Sequence, residues 1–80
     1  MLELRPNCEC CDADLPGDSG EAFICSFECT FCRNCVETRF HGHCPNCSGQ
    51  LLPRPTRVGR ALTDNPASTH RVRKPHPACK

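Results

Sequence analysis

The chain has 80 residues, of which 10 are cysteine, and it contains neither tryptophan nor tyrosine. A chain this short buries too little apolar surface for a hydrophobic core alone to stabilise it comfortably, so we expect covalent or metal cross-links. The net charge of +1 hides an acidic part, residues 1–53 with charge −5, and a basic part, residues 54–80 with charge +6.

The cysteines favour metal binding over a disulfide framework. The first residues, Met1 to Pro6, have no basic segment followed by an apolar run, so we expect no secretory signal and a cytoplasmic, reducing location. In that setting Cys-x2-Cys pairs are typical metal ligands, because two sulfurs three positions apart reach one ion across a tight turn. We therefore expect bound metal and no stable fold without it.

The first half of the chain predicts a turn, a loop and a strand. Residues 8–14 combine a Cys-x2-Cys pair with the turn-forming residues Asp12 and Asp14. Residues 16–20 form a loop by composition, and the β-favouring residues 21–25 predict a short strand that delivers Cys25.

One short helix is predicted from Cys35 to about Phe40. Asn34 is a suitable N-cap, Glu37 stands in the capping-box position, and Gly42 falls where helices commonly end. A second Cys-x2-Cys pair follows at residues 44–47, and residues 51–52 are expected to form a brief strand or to cover the core.

Residues 54–80 predict a basic, proline-containing, disordered tail after a two-metal domain at residues 1–53. The tail has few apolar residues and no helical or strand period. Its basic residues could contact phosphates of a nucleic acid, but it has no aromatic residue to stack on bases and is joined to an acidic core. A solvated tail, or one folded on the acidic domain, is the favoured alternative.

Eight cysteines are sufficient for two tetrahedral Zn²⁺ sites. The predicted ligands are Cys8, Cys11, Cys25, Cys29, Cys32, Cys35, Cys44 and Cys47. Because protein sulfurs would fill every position, no place remains for water or substrate, so we expect structural zinc and no enzymatic activity.

The spacing of these cysteines resembles the RING-type zinc finger over residues 8–47, with Phe31 where that family often has a Phe before its fifth ligand. The chain also resembles an uncharacterised bacterial family of small cysteine-rich proteins of unknown function, through the stretch from Ile24 to Cys32. The RING resemblance implies a small α+β, treble-clef-like fold with short strands and one short helix.

The RING resemblance further implies cross-braced ligation. One site would use Cys8, Cys11, Cys32 and Cys35, and the other Cys25, Cys29, Cys44 and Cys47. A sequential, LIM-like arrangement would instead join Cys8 and Cys11 to Cys25 and Cys29; the short gap before Cys44 disfavours it.

The function expected from this pattern is a protein-interaction module or adaptor. Ubiquitin-ligase activity is a second hypothesis, but Glu9 and Cys10 stand where such RING domains usually have an apolar residue, and Ser48 stands where a basic one often follows the last ligand. Nucleic-acid binding through the tail is a third hypothesis, and zinc or redox sensing with metal storage is a fourth. No membrane or small-molecule partner is expected.

The remaining reactive side chains have simple expected roles. Cys10 is expected to be a spare thiol, with exchange for Cys8 or Cys11 as a ligand left open, and Cys79 a free thiol in the tail. His41 and His43 are expected to be exposed. The expected core between the two metal sites consists of Phe23, Phe27, Phe31, Val36 and Phe40, some of which could instead form a docking patch.

Overall fold

The computed structural model describes residues 1–79 and has α+β architecture. Its strands are β1 (Ala22–Ile24), β2 (Thr30–Cys32) and β3 (Leu52–Pro53). Its helical elements are α1 (Arg33–Cys35), a π-helix (Val36–Phe40), α2 (Gly59–Asp64) and a final 3-10 turn (Pro77–Cys79). No helix in this part of the chain is long and apolar enough to cross a membrane.

The three strands form an antiparallel sheet with β1 at its centre. Phe23 is paired with Phe31 of β2 and with Pro53 of β3. Strand β1 lies where residues 21–25 predicted one, and β3 is one of the two alternatives expected for residues 51–52, whereas β2 was not predicted. This sheet places Cys25 directly after β1 and Cys32 at the end of β2.

The predicted helix is present, but its start and its hydrogen bonding differ from the prediction. Cys32 occupies the N-cap position without a side-chain cap, and Asn34 lies inside α1, so the capping box expected from Asn34 and Glu37 is wrong. The helix widens into a π-helix and ends in left-handed backbone at His41 (φ 52°) and Gly42 (φ 84°). A glycine tolerates that conformation without steric cost.

The apolar core lies between the two groups of cysteines. Phe31 is fully buried and packs edge-on against Phe40, with ring centroids 4.9 Å apart. Phe23 and Val36 are buried as expected. Phe27 is not part of this core: it is 70% exposed, which corrects its placement there and leaves the docking patch as its expected role.

Residues 54–57 are integrated with the core, although the sequence placed them in the tail. Arg54 is 4% exposed, and its backbone N–H donates to Ala22 O at 2.8 Å, beside β1. The Arg57 backbone N–H donates to Gly17 O at 3.0 Å. Backbone hydrogen bonds to the sheet and its loops therefore continue past residue 54, where the composition changes.

The rest of the described tail also contacts the acidic part of the chain. Arg71 forms ion pairs with Asp12 at 3.1 Å and Asp14 at 2.8 Å, and the Lys74 N–H donates to Glu9 O at 3.0 Å. The described tail thus lies on the acidic domain, because Arg71 pairs with two aspartates and the backbone of Lys74 is hydrogen-bonded to that of Glu9.

Cys79 is not a free thiol, nor is Cys10 a spare one. The two sulfurs form an intramolecular disulfide across a sequence separation of 69 residues. This corrects both expectations, and it removes Cys10 as a replacement ligand in this state. The sequence contained no signal for the pairing, because nothing in the tail composition placed Cys79 beside Cys10.

Candidate metal centre

The first Cys-x2-Cys pair is held in a tight hydrogen-bonded turn. The Cys8 N–H donates to Ala13 O at 2.8 Å, and the Asp12 N–H donates back to Cys8 O at 2.9 Å. Asp12 has φ 65°, a left-handed conformation that Asp adopts more readily than most residues. An isolated antiparallel bridge between Asn7 and Asp14 closes the turn.

The second Cys-x2-Cys pair repeats this geometry at the same offsets. The Cys44 N–H donates to Gly49 O at 2.7 Å, the Ser48 N–H donates to Cys44 O at 2.8 Å, and Ser48 has φ 64°. A bridge between His43 and Gln50 closes this turn. Two distant segments thus adopt one conformation that turns both sulfurs of a pair to the same side.

Backbone N–H groups point at several of the sulfurs. Cys8 Sγ accepts from the Cys11 N–H at 3.5 Å, Cys25 Sγ from the Phe27 N–H at 3.4 Å, and Cys44 Sγ from the Asn46 N–H at 3.4 Å. Donors aimed at sulfur stabilise the thiolate, which is the form that binds metal.

Four predicted ligands meet in one group, cluster 1, formed by Cys8, Cys11, Cys32 and Cys35. Their sulfur atoms all lie within 4.8 Å of one another, and Cys11 Sγ is 3.7 Å from Cys32 Sγ. The first turn supplies two of these sulfurs, and the end of β2 and α1 supply the others. Cys8 and Cys35 are fully buried and Cys11 is exposed.

A second group, cluster 2, contains Cys25, Cys44 and Cys47, again with all sulfurs within 4.8 Å. Cys29, the fourth predicted ligand, is buried nearby but is not a member of this mutually close set. Its backbone carbonyl accepts from the Cys25 N–H at 3.3 Å, and the Asn46 side-chain amide donates to its sulfur at 3.3 Å. The structure thus brings three of the four together, and the role of Cys29 as fourth ligand stays a prediction.

Thiol pKa values diverge inside each cluster. Burial raises the pKa of Cys35, and the neighbouring Cys32 raises it further. Burial likewise raises the pKa of Cys44 to about 12, with Cys47 and Cys25 adding to the effect. Burial also disfavours the Cys11 thiolate, but hydrogen bonds from the Ala13 backbone and the adjacent cysteines outweigh it and lower that pKa.

The thiol pKa values of Cys25, in cluster 2, and Cys29, beside it, are also shifted in opposite directions. Burial disfavours the Cys25 thiolate, yet hydrogen bonds from the Phe27 and Cys29 backbones lower its pKa. Burial raises the pKa of Cys29, and the thiol of Cys25 adds to that. Sulfurs packed this closely cannot all be anionic without a cation among them, so the groups are suited to holding a metal ion.

A buried carboxylate between the clusters was missed by the sequence-based prediction. Glu9 is 2% exposed, and its Oε2 accepts from Asn46 Nδ2 at 2.7 Å and lies 2.8 Å from His76 Nε2. Glu9 lies within the first Cys-x2-Cys pair and Asn46 within the second. A charged residue inside a Cys-x2-Cys turn was the one available signal in the sequence, and it did not indicate which residues Glu9 would contact.

The fold and site define a small α+β protein with two cysteine clusters that could hold metal ions. The chain belongs to the family described as "Protein of unknown function (DUF1272)", whose model matches residues 1–57. It is similar to a protein described as uncharacterized from Rhizobium meliloti (strain 1021), at 64% identity over 75 residues, which are 94% of this chain and 89% of that protein. No solved structure matches the chain. The predicted membership of a bacterial family of small cysteine-rich proteins is confirmed.

Proposed function

We propose that this protein is a two-zinc, RING-like interaction module in which both ions are structural. The observation that carries the proposal is the interleaved order of the clusters: Cys8 and Cys11 lie with Cys32 and Cys35, while Cys25, from between them, lies with Cys44 and Cys47. This is the order of cross-braced ligation. Sequential pairing would require Cys8 beside Cys25.

Zinc is the metal that best suits these donors. A tetrahedron with Zn–S bonds of about 2.3 Å separates its sulfurs by about 3.8 Å. The distance of 3.7 Å between Cys11 Sγ and Cys32 Sγ is close to that value. Sites made of thiolates alone favour zinc over hard cations such as Mg²⁺ or Ca²⁺, which prefer oxygen ligands.

A role in binding another protein is supported by an apolar groove beside cluster 2. The groove has a volume of about 430 Å³ and is lined by Ile24, Cys25, Ser26, Gln50, Leu52 and Pro53. Leu52 is 52% exposed, and nearby in sequence Phe27 is 70% exposed. A large apolar side chain left in solvent at a concave surface, as Leu52 is, is typical of a protein-binding site.

Ubiquitin ligation and nucleic-acid binding have less support. In the first metal-binding turn, Glu9 and Cys10 are both buried, so neither offers the apolar contact expected of a ubiquitin-ligase RING. For nucleic-acid binding, Arg54 is buried among backbone carbonyls, Arg57 donates to Leu2 O at 2.9 Å, and Arg71 is paired with aspartates. Tail arginines engaged in this way are not free to contact phosphates.

Metal content and pairing test the zinc proposal. Native mass spectrometry is expected to find two zinc ions per chain, and NMR of the cadmium-substituted protein is expected to link Cys8 and Cys35 to one ion and Cys25 and Cys44 to the other. Finding a single ion, or Cys8 and Cys25 on the same ion, would exclude the proposed arrangement.

The interaction role is tested by cross-linking and capture from the native host with matched surface variants. Leu52→Arg is expected to lose the partner that the wild-type protein retains, with both ions still bound. Val58→Arg is the control, because Val58 is 60% exposed but does not line the groove. Equal capture by both variants would contradict the assigned surface.

A further inference from the structure

A second cavity lies beside the Cys10–Cys79 disulfide, on residues that the proposed zinc sites do not use. It has a volume of about 280 Å³ and is lined by Cys10, Arg73, Lys74, Pro75, His76 and Cys79. Two permanent cations and a disulfide therefore share one concave surface, and no carboxylate lines it among the residues the structure describes.

We propose that this cavity is a thiol–disulfide exchange site for an anionic low-molecular-weight thiol, such as a tripeptide thiol with two carboxylates. Arg73 and Lys74 are exposed, so their charges are available to an incoming carboxylate. Arg71 is paired with Asp12 and Asp14 and does not line the cavity. Arg73 and Lys74, the next two basic residues, do line it.

Exposure decides which sulfur is attacked. Cys10 is 1% exposed, whereas Cys79 is only partly buried. Both cysteines line the cavity, and we expect a thiolate that enters it to attack Cys79, the more exposed of the two. Attack occurs on the sulfur that is accessible, and the other sulfur becomes the leaving group.

The exchange balances without any further reactant. The incoming thiolate sulfur forms a bond to Cys79 Sγ, the Cys79–Cys10 bond breaks, and its electron pair stays on Cys10 Sγ, which takes a proton from water. A second molecule of the same thiol then attacks the external sulfur of the mixed disulfide and releases the Cys79 thiolate. The protein disulfide is reduced, and the two external thiols are oxidised to their own disulfide.

Reduction removes the only cross-link, other than the backbone itself, between residues 71–79 and the core within the described chain. The contacts that remain include the Arg71 ion pairs, the Val72 and Lys74 N–H bonds to Asn7 and Glu9, the Arg39–Ala78 hydrogen bond and the His76–Glu9 contact. Thiol exchange in the cavity thus decides whether the Cys10–Cys79 disulfide cross-links the basic segment to the acidic domain.

The charge preference of the exchange tests the proposal on the full-length, zinc-loaded, oxidised protein. Rates of disulfide reduction are measured with glutathione, which is anionic, and with cysteamine, which is cationic, each corrected for its thiolate concentration. We expect the glutathione-to-cysteamine rate ratio to be on the order of tenfold higher for the wild type than for the variant Arg73→Gln/Lys74→Gln. Raising the salt concentration is expected to remove this difference.

Arg60→Gln is the matched control, because Arg60 is an exposed cation on α2 outside the cavity. The glutathione-to-cysteamine rate ratio of this variant is expected to equal that of the wild type. Acid-quenched samples, alkylated and digested with pepsin, are expected to carry glutathione on Cys79, with two zinc ions retained before quenching. Equal ratios for the wild type and the double variant, glutathione on Cys10, or no reduction by glutathione would each overturn the proposal.

Discussion

Glu9 accepts a hydrogen bond from Asn46 at 2.7 Å, and this contact joins the two Cys-x2-Cys turns directly. The same Asn46 amide group also donates to Cys29 Sγ at 3.3 Å, while Glu9 Oε2 lies 2.8 Å from His76 Nε2 in the tail. One buried carboxylate therefore connects the turn of cluster 1, the turn of cluster 2 and the basic segment. A buried charge of this kind stabilises a fold only while its partners remain in place.

Replacing Asn46 with alanine is expected to destabilise the zinc-loaded protein by about 1–3 kcal/mol, because a buried carboxylate loses a hydrogen-bond donor. Denaturant unfolding at constant zinc concentration measures the change. Asn34→Ala is the control: Asn34 is exposed in α1 and does not cap it, so its free energy of unfolding is expected to change by less than about 0.5 kcal/mol. A larger effect at Asn34 than at Asn46 would contradict the assigned contacts.

Metal binding is expected to weaken as the pH falls. The raised pKa values of Cys35 and Cys44 mean that these thiols are protonated near neutral pH in the metal-free clusters, so binding must displace protons. Lower pH opposes that release and higher pH favours it. Calorimetric titration with zinc in buffers of different ionisation enthalpy is expected to show proton release per ion bound, and a pH-independent affinity would argue against thiolate ligation.

Loss of the Cys10–Cys79 disulfide is expected to destabilise the protein by about 4 kcal/mol in the chain-entropy model, because the bond closes a loop of 69 residues' separation. The double variant Cys10→Ser/Cys79→Ser is compared with the oxidised wild type by denaturant unfolding, with zinc present. Amide hydrogen exchange is expected to accelerate most over residues 71–79, which lose their cross-link, and in β1 only as far as the fall in global stability requires. Acceleration in β1 beyond that amount would indicate that the disulfide supports the clusters themselves.

Arg54 is expected to act as a structural residue and not as a tail cation. Its guanidinium donates to Arg5 O at 2.9 Å, Leu15 O at 3.3 Å and Pro16 O at 2.9 Å, and burial lowers its pKa. Arg54→Met leaves these carbonyls without their donor, so we expect a loss of about 3 kcal/mol in the free energy of unfolding.

Arg60→Met provides the comparison for Arg54→Met. The Arg60 side chain is 92% exposed and, among the described residues, its one ion pair is with Asp64 on the same helix, so its removal is expected to change stability by less than about 0.5 kcal/mol. Equal losses for the two variants, measured by denaturant unfolding, would show that Arg54 does not organise the loops around residues 5 and 15–16.

The sequence alone was sufficient for the features that depend on local spacing. Cys-x2-Cys pairs with turn-forming neighbours predicted the two tight turns, and the β-favouring residues 21–25 predicted β1. For residues 51–52 a strand and a cover for the core were both left open, and β2 was not predicted. The helix near residues 35–40 was predicted from the signals at its ends. Gly42 follows its end as expected, whereas the predicted cap was wrong because Cys32, at the end of β2, occupies the N-cap position before Asn34. Sequence rules for helix caps use only the residues near the cap, so they do not predict a helix start that is set by the preceding strand.

Contacts between distant segments required the tertiary structure. Nothing local to Glu9 indicated that Asn46 and His76 would surround it, and nothing local to Cys79 indicated Cys10, 69 residues away. Phe27 has the same side chain as Phe31, yet one is 70% exposed and the other fully buried. Spacing along the chain determined which residues could bind a metal, and the tertiary structure decided which of them meet. The reason is that burial and pairing depend on contacts between segments that are far apart in the sequence.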